Sequence, residues 1–116
     1  MTAEKFDVII LGGGNAGMGV TGPVRRAGMS VAIIEADLLG GTCPNRGCTP
    51  KKVLVAAGHA LHAIERASAH HIAVGKPKLD LKKMLAFKDE GVKGNVDGVA
   101  FLMKKNKIEH FHGTGR

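Results

Sequence analysis

Phe6-Asp7-Val8-Ile9-Ile10-Leu11-Gly12-Gly13-Gly14-Asn15-Ala16-Gly17 is the stretch that decides the fold. An apolar run of this length ending in glycines predicts a buried parallel strand, followed by a helix to about Ala27. Gly28 stands where a helix C-cap glycine belongs, and Ser30-Val31-Ala32-Ile33-Ile34 predicts a second buried strand ending at Glu35. Together these make a βαβ unit, so the fold class is α/β. Gly12 permits the tight turn, Gly14 lets the backbone approach a pyrophosphate, and Gly17 lets helix and strand pack closely. The helix start, at Asn15 and Ala16, offers free N–H groups and a partial positive charge to that anion. Glu35 follows Gly17 by 18 residues, where an acid accepts hydrogen bonds from ribose hydroxyls. The fingerprint predicts a bound dinucleotide and does not separate FAD from NAD. Gly22-Pro23 falls inside the predicted helix, where proline costs about 3 kcal/mol, so a kink is expected there.

Beyond the second strand, Leu39 to Pro50 reads as a loop rich in Gly, Cys and Pro. A long helix is predicted from about Lys51 to Ala69, with Leu54, Ala57, Leu61 and Ile64 at helical spacing. Gly75-Lys76-Pro77 breaks the chain, and Asp80 is placed to cap a further helix starting at Leu81. Gly91, Gly94 and Gly98 argue for an interruption of that helix, Val99-Ala100-Phe101-Leu102-Met103 resumes its apolar pattern, and Lys107 to His112 reads as a strand. Two cysteines, Cys43 and Cys48, lie in the loop with four residues between them. The second lies just before the predicted helix. The macrodipole and Lys51 should therefore stabilise its thiolate and lower its pKa, as a redox or nucleophilic thiol requires.

The bulk composition sets outer limits. The chain has 116 residues, enough for one domain, and 44% are apolar. Only 3% are aromatic, so the core must rest on Val, Ile, Leu, Met and Ala. The formal charge of +7 is dispersed over pairs such as Arg25–Arg26, Lys51–Lys52, Lys82–Lys83 and Lys104–Lys105, with no interleaved aromatics. That pattern argues against nucleic-acid binding. Neither a signal peptide nor a membrane span is expected, and the chain reads as cytoplasmic.

Gly40-Gly41-Thr42-Cys43-Pro44-Asn45-Arg46-Gly47-Cys48-Thr49-Pro50-Lys51-Lys52 resembles the redox-disulfide signature of the class I pyridine nucleotide–disulfide oxidoreductases, the family of glutathione reductase, dihydrolipoamide dehydrogenase and mercuric reductase. The N-terminal fingerprint, its spacing to the cysteines and the closing Gly113-x-Gly115 match as well, so the resemblance spans the chain. It implies that residues 1–116 are the N-terminal part of a Rossmann-like FAD-binding domain, incomplete, without the NAD(P) and dimerisation domains. It further implies FAD as cofactor, NAD(P)H as co-substrate, a small disulfide or dithiol as substrate, and a homodimer in the full-length family. Cys43 takes the place of the interchange thiol and Cys48 that of the thiol lying against the flavin, the two forming a disulfide when oxidised. Gly41 and Thr42 take places along the phosphates and ribityl chain, Lys51 (or Lys52) near the flavin, Glu35 at the adenosine ribose and Gly115 at a backbone contact. Hydride would pass from NAD(P)H to FAD, then to the disulfide, then to substrate. The family's catalytic His–Glu pair lies in a domain outside these residues, so residues 1–116 alone are expected not to turn over. Gly22-Pro23 stands where glutathione-type members carry arginines, which counts against glutathione as substrate.

Two rival readings use the same residues. Cys43, Cys48, His59 and His62 have a superficially zinc-like spacing, which leaves Gly40-Gly41-Thr42 and Pro50-Lys51 without a role. A non-catalytic nucleotide-binding fragment would need the fingerprint and no redox cysteines.

Overall fold

The computed structural model describes residues 3–115. Its elements are β1 (Val8–Leu11), α1 (Asn15–Arg26), β2 (Val31–Glu35), α2 (Thr42–Arg46), α3 (Cys48–Arg66), a 3₁₀ turn (Ala67–His70), α4 (Leu81–Lys105) and β3 (Glu109–His112). The three strands form one parallel sheet in the order β1-β2-β3, with Val8 opposite Val31 and Ala32 opposite Glu109. The expected α/β architecture built on a βαβ unit is present. Asp7 secures the entry to the sheet by accepting hydrogen bonds from the Ser30 amide at 2.7 Å and the Ser30 hydroxyl at 2.6 Å.

Helices cover one face of this sheet. Val31 and Ile33 of β2 are fully buried, and Val8 and Ile10 share their face through the parallel register. Met18 and Val24 of α1, Leu39, Val99 and Met103 of α4 and Ile108 complete that core. The opposite face is bare: Ile9 is 54% and Leu11 65% exposed. The sequence predicted a strand buried on both sides at β1, but the described residues supply a helical layer for only one side.

Three other expectations are corrected. The segment from Leu39 to Pro50 is mostly helical rather than a loop, because Thr42–Arg46 coils into α2 and Cys48 is already the first residue of α3. On α3 the inward stripe is Val53, Ala57, Leu61 and Ile64; Leu54, one position round the helix, is exposed. Gly91, Gly94 and Gly98 do not interrupt α4, which runs 25 residues without a break. The Asp80 cap, whose carboxylate accepts from the Lys83 amide at 3.0 Å, and the Lys93–Asp97 ion pair at 2.7 Å support the helix. Its last turn is anchored by buried Met103. At Pro23 the missing donor removes one bond to Gly19, the distortion an interior proline brings, and α1 continues with Ala27 N–H donating to the Pro23 carbonyl at 3.0 Å.

The helices α3 and α4 reach far from the sheet. The chain measures 70 × 27 × 21 Å with a radius of gyration of 20.4 Å, against about 13 Å for a compact chain of this length. Among the described residues no helix is long and apolar enough to cross a membrane.

Candidate functional site

Parallel strands end together, so Leu11, Glu35 and His112 bring three chain segments to one edge of the sheet. Gly12 turns the chain there with φ +100°, a conformation that only glycine takes without strain, and its N–H donates to the Ile34 carbonyl at 2.8 Å. Gly17 is held between elements: a Cβ there would collide with the Gly12 carbonyl oxygen and come to 2.9 Å from Ile10 Cγ2. The role expected for it, close packing of helix and strand, is the one its surroundings require. Glu35 reaches back into the loop. One carboxylate oxygen accepts from the Asp37 amide at 2.8 Å and the other from the Gly13 amide at 2.7 Å. These bonds, the one from Asp37 first, hold its carboxyl below the ordinary carboxylate range. Each oxygen retains a lone pair for a ribose hydroxyl.

The cysteine segment is stitched onto this loop by backbone contacts. The Gly40 N–H donates to the Gly13 carbonyl at 2.8 Å, and Gly14 and Gly40 form an isolated parallel bridge. Gly41, at φ +72°, lies so close that a Cβ would stand 2.7 Å from the Gly14 Cα. Gly14 and Gly41 immediately precede α1 and α2, and neither helix start receives a side-chain capping bond. The first amides of α1, at Asn15 and Ala16, are thus free to meet an anion, with Thr42 alongside.

Buried Asn45 locks the segment from within. Its Nδ2 donates to the carbonyls of Leu39 at 3.0 Å, Gly41 at 2.9 Å and Leu38 at 3.3 Å, while its buried Oδ1 has no partner. Arg46 pairs with Asp37 on the surface. Asn45, Gly13 and Gly40 were not among the sequence candidates. Asn45 was visible as a fixed letter of the cysteine signature, but only the folded turn shows what its amide does.

Both cysteines are free thiols, Cys43 half-buried and Cys48 exposed. The groups acting on the Cys43 sulfur are the Cys48 thiol, the Asn15 side chain and the Cys48 backbone N–H, with Lys52 adding a positive field. These donors, the Cys48 thiol foremost, hold the Cys43 thiol below its usual range. Cys48 moves the other way: donating to Cys43 keeps its proton on, and this outweighs the lowering effect of Lys51. The sequence expectation of a lowered pKa at Cys48 is therefore reversed. As first residue of α3, Cys48 turns its own amide toward Cys43, so the helix start favours the neighbour's thiolate.

Lys51 and Lys52 lie exposed in the first turns of α3. Gly115 packs against the Leu11 side chain, at the strand edge where the glycine loop begins, and leaves no room for a Cβ. Every candidate from Gly12 to Lys51, with Gly115, is thereby gathered along the C-terminal edge of the sheet and the start of α3. His59 and His62 do not join the cysteines; His62 lies 3.9 Å from Glu65 on the same helix. Among the described residues no three His, Cys, Asp or Glu side chains gather around a common point. A dinucleotide suits what is gathered: uncapped amides at α1, a backbone cradle that a side chain at Gly41 would fill, and a carboxylate at the end of β2.

Comparison with known proteins agrees with this arrangement. The family described as pyridine nucleotide-disulphide oxidoreductase matches residues 6–116. A dihydrolipoamide dehydrogenase of Chaetomium thermophilum is 41% identical over 98% of this chain and 23% of its own length. Dihydrolipoyl dehydrogenase 3 of Pseudomonas putida is 37% identical over 97% of this chain and 25% of its own. A leghemoglobin reductase of Vigna unguiculata is 34% identical over 98% of this chain and 22% of its own. The chain spans about a quarter of the length of these relatives.

Proposed function

Since the chain belongs to the pyridine nucleotide–disulphide oxidoreductase family, we propose that residues 1–116 are the first part of the FAD-binding domain of a flavin- and NAD(P)-dependent disulfide oxidoreductase acting on a dihydrolipoyl-type dithiol. The observation that carries the reading is the backbone stitch between Gly13–Gly14 and Gly40–Gly41, which fastens a dinucleotide loop to a thiol pair. Gly12, Gly14, Asn15, Ala16 and Gly17 would hold the pyrophosphate, Glu35 a ribose, and Gly41, Thr42, Lys51 and Gly115 the stretch toward the thiols. Bound there, FAD supplies a two-electron hydride carrier between a nicotinamide and the thiol pair.

The chain's own residues perform the exchange. The Cys43 thiolate attacks one sulfur of a substrate disulfide; a mixed disulfide forms and the first substrate thiolate leaves. Cys48 passes its proton to that leaving group, and its sulfur attacks Cys43. The Cys43–Cys48 disulfide closes, and the second substrate thiolate departs and takes a proton from solvent. Two electrons have then moved from the cysteines to the substrate, and oxidation of a dithiol substrate is the reverse. The lowered pKa of Cys43 supports its role as attacking sulfur, and the raised pKa of Cys48 supports its role as proton donor. A thiol pair of this kind suits a reducing compartment such as the cytoplasm.

Two measurements on the purified chain test the reading. FAD added in increments should bind saturably, read by flavin fluorescence, and Gly14→Val should weaken binding while Cys43→Ser leaves it intact. Thiol counting after mild oxidation should find no free thiol and, after reduction, both. Absence of saturable FAD binding, or two free thiols after oxidation, would overturn it.

A further inference from the structure

A cleft lies at the C-terminal end of α1, away from the glycine loop. The C-terminal turns of α1 and α4 enclose a cleft of about 460 Å³ lined by Arg25, Arg26, Lys105 and Lys107 together with Thr21 and Asn106. The 12 residues of α1 separate it from the glycine loop by about 18 Å of helix. Among the described residues no acidic side chain lines the cleft. Glu109 is the one acid on the adjoining cavity of about 400 Å³, beside Lys104, Lys107 and His110.

Cations at helix C-termini have a plain structural use, which is to offset the macrodipole. Two such termini amount to roughly one negative charge, so four cations leave an excess of about three. Two further features set the cleft apart. Arg25 is held in place, its Nε donating to the Asn106 carbonyl at 3.0 Å and its Nη1 to the Met29 carbonyl at 2.9 Å. Its guanidinium is thus oriented before any ligand arrives. Lys107 occupies the left-handed position just past α4, at φ +54°, with its N–H on the Lys104 carbonyl and the Ile108 N–H on the Met103 carbonyl. That is the place where helices commonly carry glycine, and here it holds a cation at the rim of the cleft. The volume falls in the range of small-molecule sites, and no aromatic ring lines it to stack a base.

We propose that the cleft between the C-terminal ends of α1 and α4 binds a small polyphosphate-bearing anion through Arg25, Arg26, Lys105 and Lys107. The site is separate from the dinucleotide loop and does not depend on the function assigned to it.

The test uses the ¹⁵N-labelled chain and tripolyphosphate at low salt, followed by amide chemical shifts. Saturable shifts at residues 25–26 and 105–108 are expected. They should weaken about tenfold in the exposed double variant Arg26→Glu/Lys105→Glu, and also on raising salt to physiological strength. Shifts confined to residues 12–17 and 41–43 would assign phosphate binding to the dinucleotide loop alone and overturn the proposal, as would unchanged affinity in the double variant. Tighter binding of a single-stranded oligonucleotide at the same residues would overturn it in favour of nucleic acid. Loss of FAD binding at 12–17 with the cleft still responding would defeat the assignment of the flavin site and leave this one standing.

Discussion

Glycine does opposite things at the two ends of this molecule. At the sheet edge, Gly17 and Gly41 sit against the backbone of Gly12 and Gly14, and a single methyl group has nowhere to go. Along α4, Gly91 and Gly94 have open space where a side chain would be. The apolar residues divide differently. Val31 and Ile33 of β2 are buried almost completely, whereas Leu11 on the bare face of the sheet and Phe87 and Phe101 of α4 are 65–66% exposed. The sheet edge is specified by contacts the chain makes with itself. The helical arm carries apolar surface that nothing in the described residues covers, and its helices rest on capping, local ion pairs and the anchor at Met103. A close approach of backbones leaves no alternative residue; a solvent-facing helix position leaves many.

Five substitutions press on that contrast, in falling order of effect. Gly17→Val should cost about 3 kcal/mol of stability, because the new side chain must displace the Gly12 carbonyl or Ile10. A denaturation midpoint equal to that of the unaltered chain would erase the distinction between the two sets of glycines. Asn45→Ala should cost about 2 kcal/mol, since three carbonyls lose the Nδ2 donor inside the turn. The same variant should loosen FAD binding, which flavin fluorescence would report. On the arm the sign inverts. Gly94→Ala should raise stability by roughly 0.5–1 kcal/mol through lower unfolded-chain entropy, and a destabilised variant would mean that α4 is packed more closely than its exposure shows.

The smallest effect is a titration. Asn15→Ala removes one donor from the Cys43 sulfur, so the Cys43 pKa should rise toward its ordinary value. Less thiolate is then present at neutral pH, and iodoacetamide should alkylate Cys43 more slowly, with the pH midpoint of the reaction displaced upward. An unmoved profile would show that Asn15 does not contribute to the lowered Cys43 pKa. Glu35 offers a parallel check with its own sign. Its carboxyl is lowered in the folded chain, so its contribution to stability is present above the ordinary carboxylate range and is lost as pH falls through the folded value. Glu35→Gln should flatten the acid limb of the stability profile.

Much of the site was legible because its signals are local. A strand ending in Gly12, a helix start with no side chain in the way, an acid 18 residues beyond Gly17 and two cysteines in a glycine-rich segment are patterns of near neighbours. The same is true of the Asp80 cap, which was read from its place before Leu81 and was found there. Reading failed where neighbours disagreed with distant contacts. Three glycines argued for a break in α4, and tertiary anchoring with capping overrode them. Gly, Cys and Pro argued for a loop at Leu39–Pro50, and the turn locked by Asn45 made it helical.

By itself the sequence determined that this chain builds a βαβ unit with a dinucleotide loop and carries a paired-cysteine segment after it, because turns, helix periods and strand runs are written in adjacent residues. Only the tertiary structure decided that the sheet is covered on one face, that Asn45 clamps the thiol segment, and that Cys43 rather than Cys48 has the lowered thiol pKa. Burial and pKa are set by groups brought together from far apart. Asn15 and Cys43 are separated by a helix and a strand along the chain and meet only because Gly14 and Gly41 allow two backbones to touch.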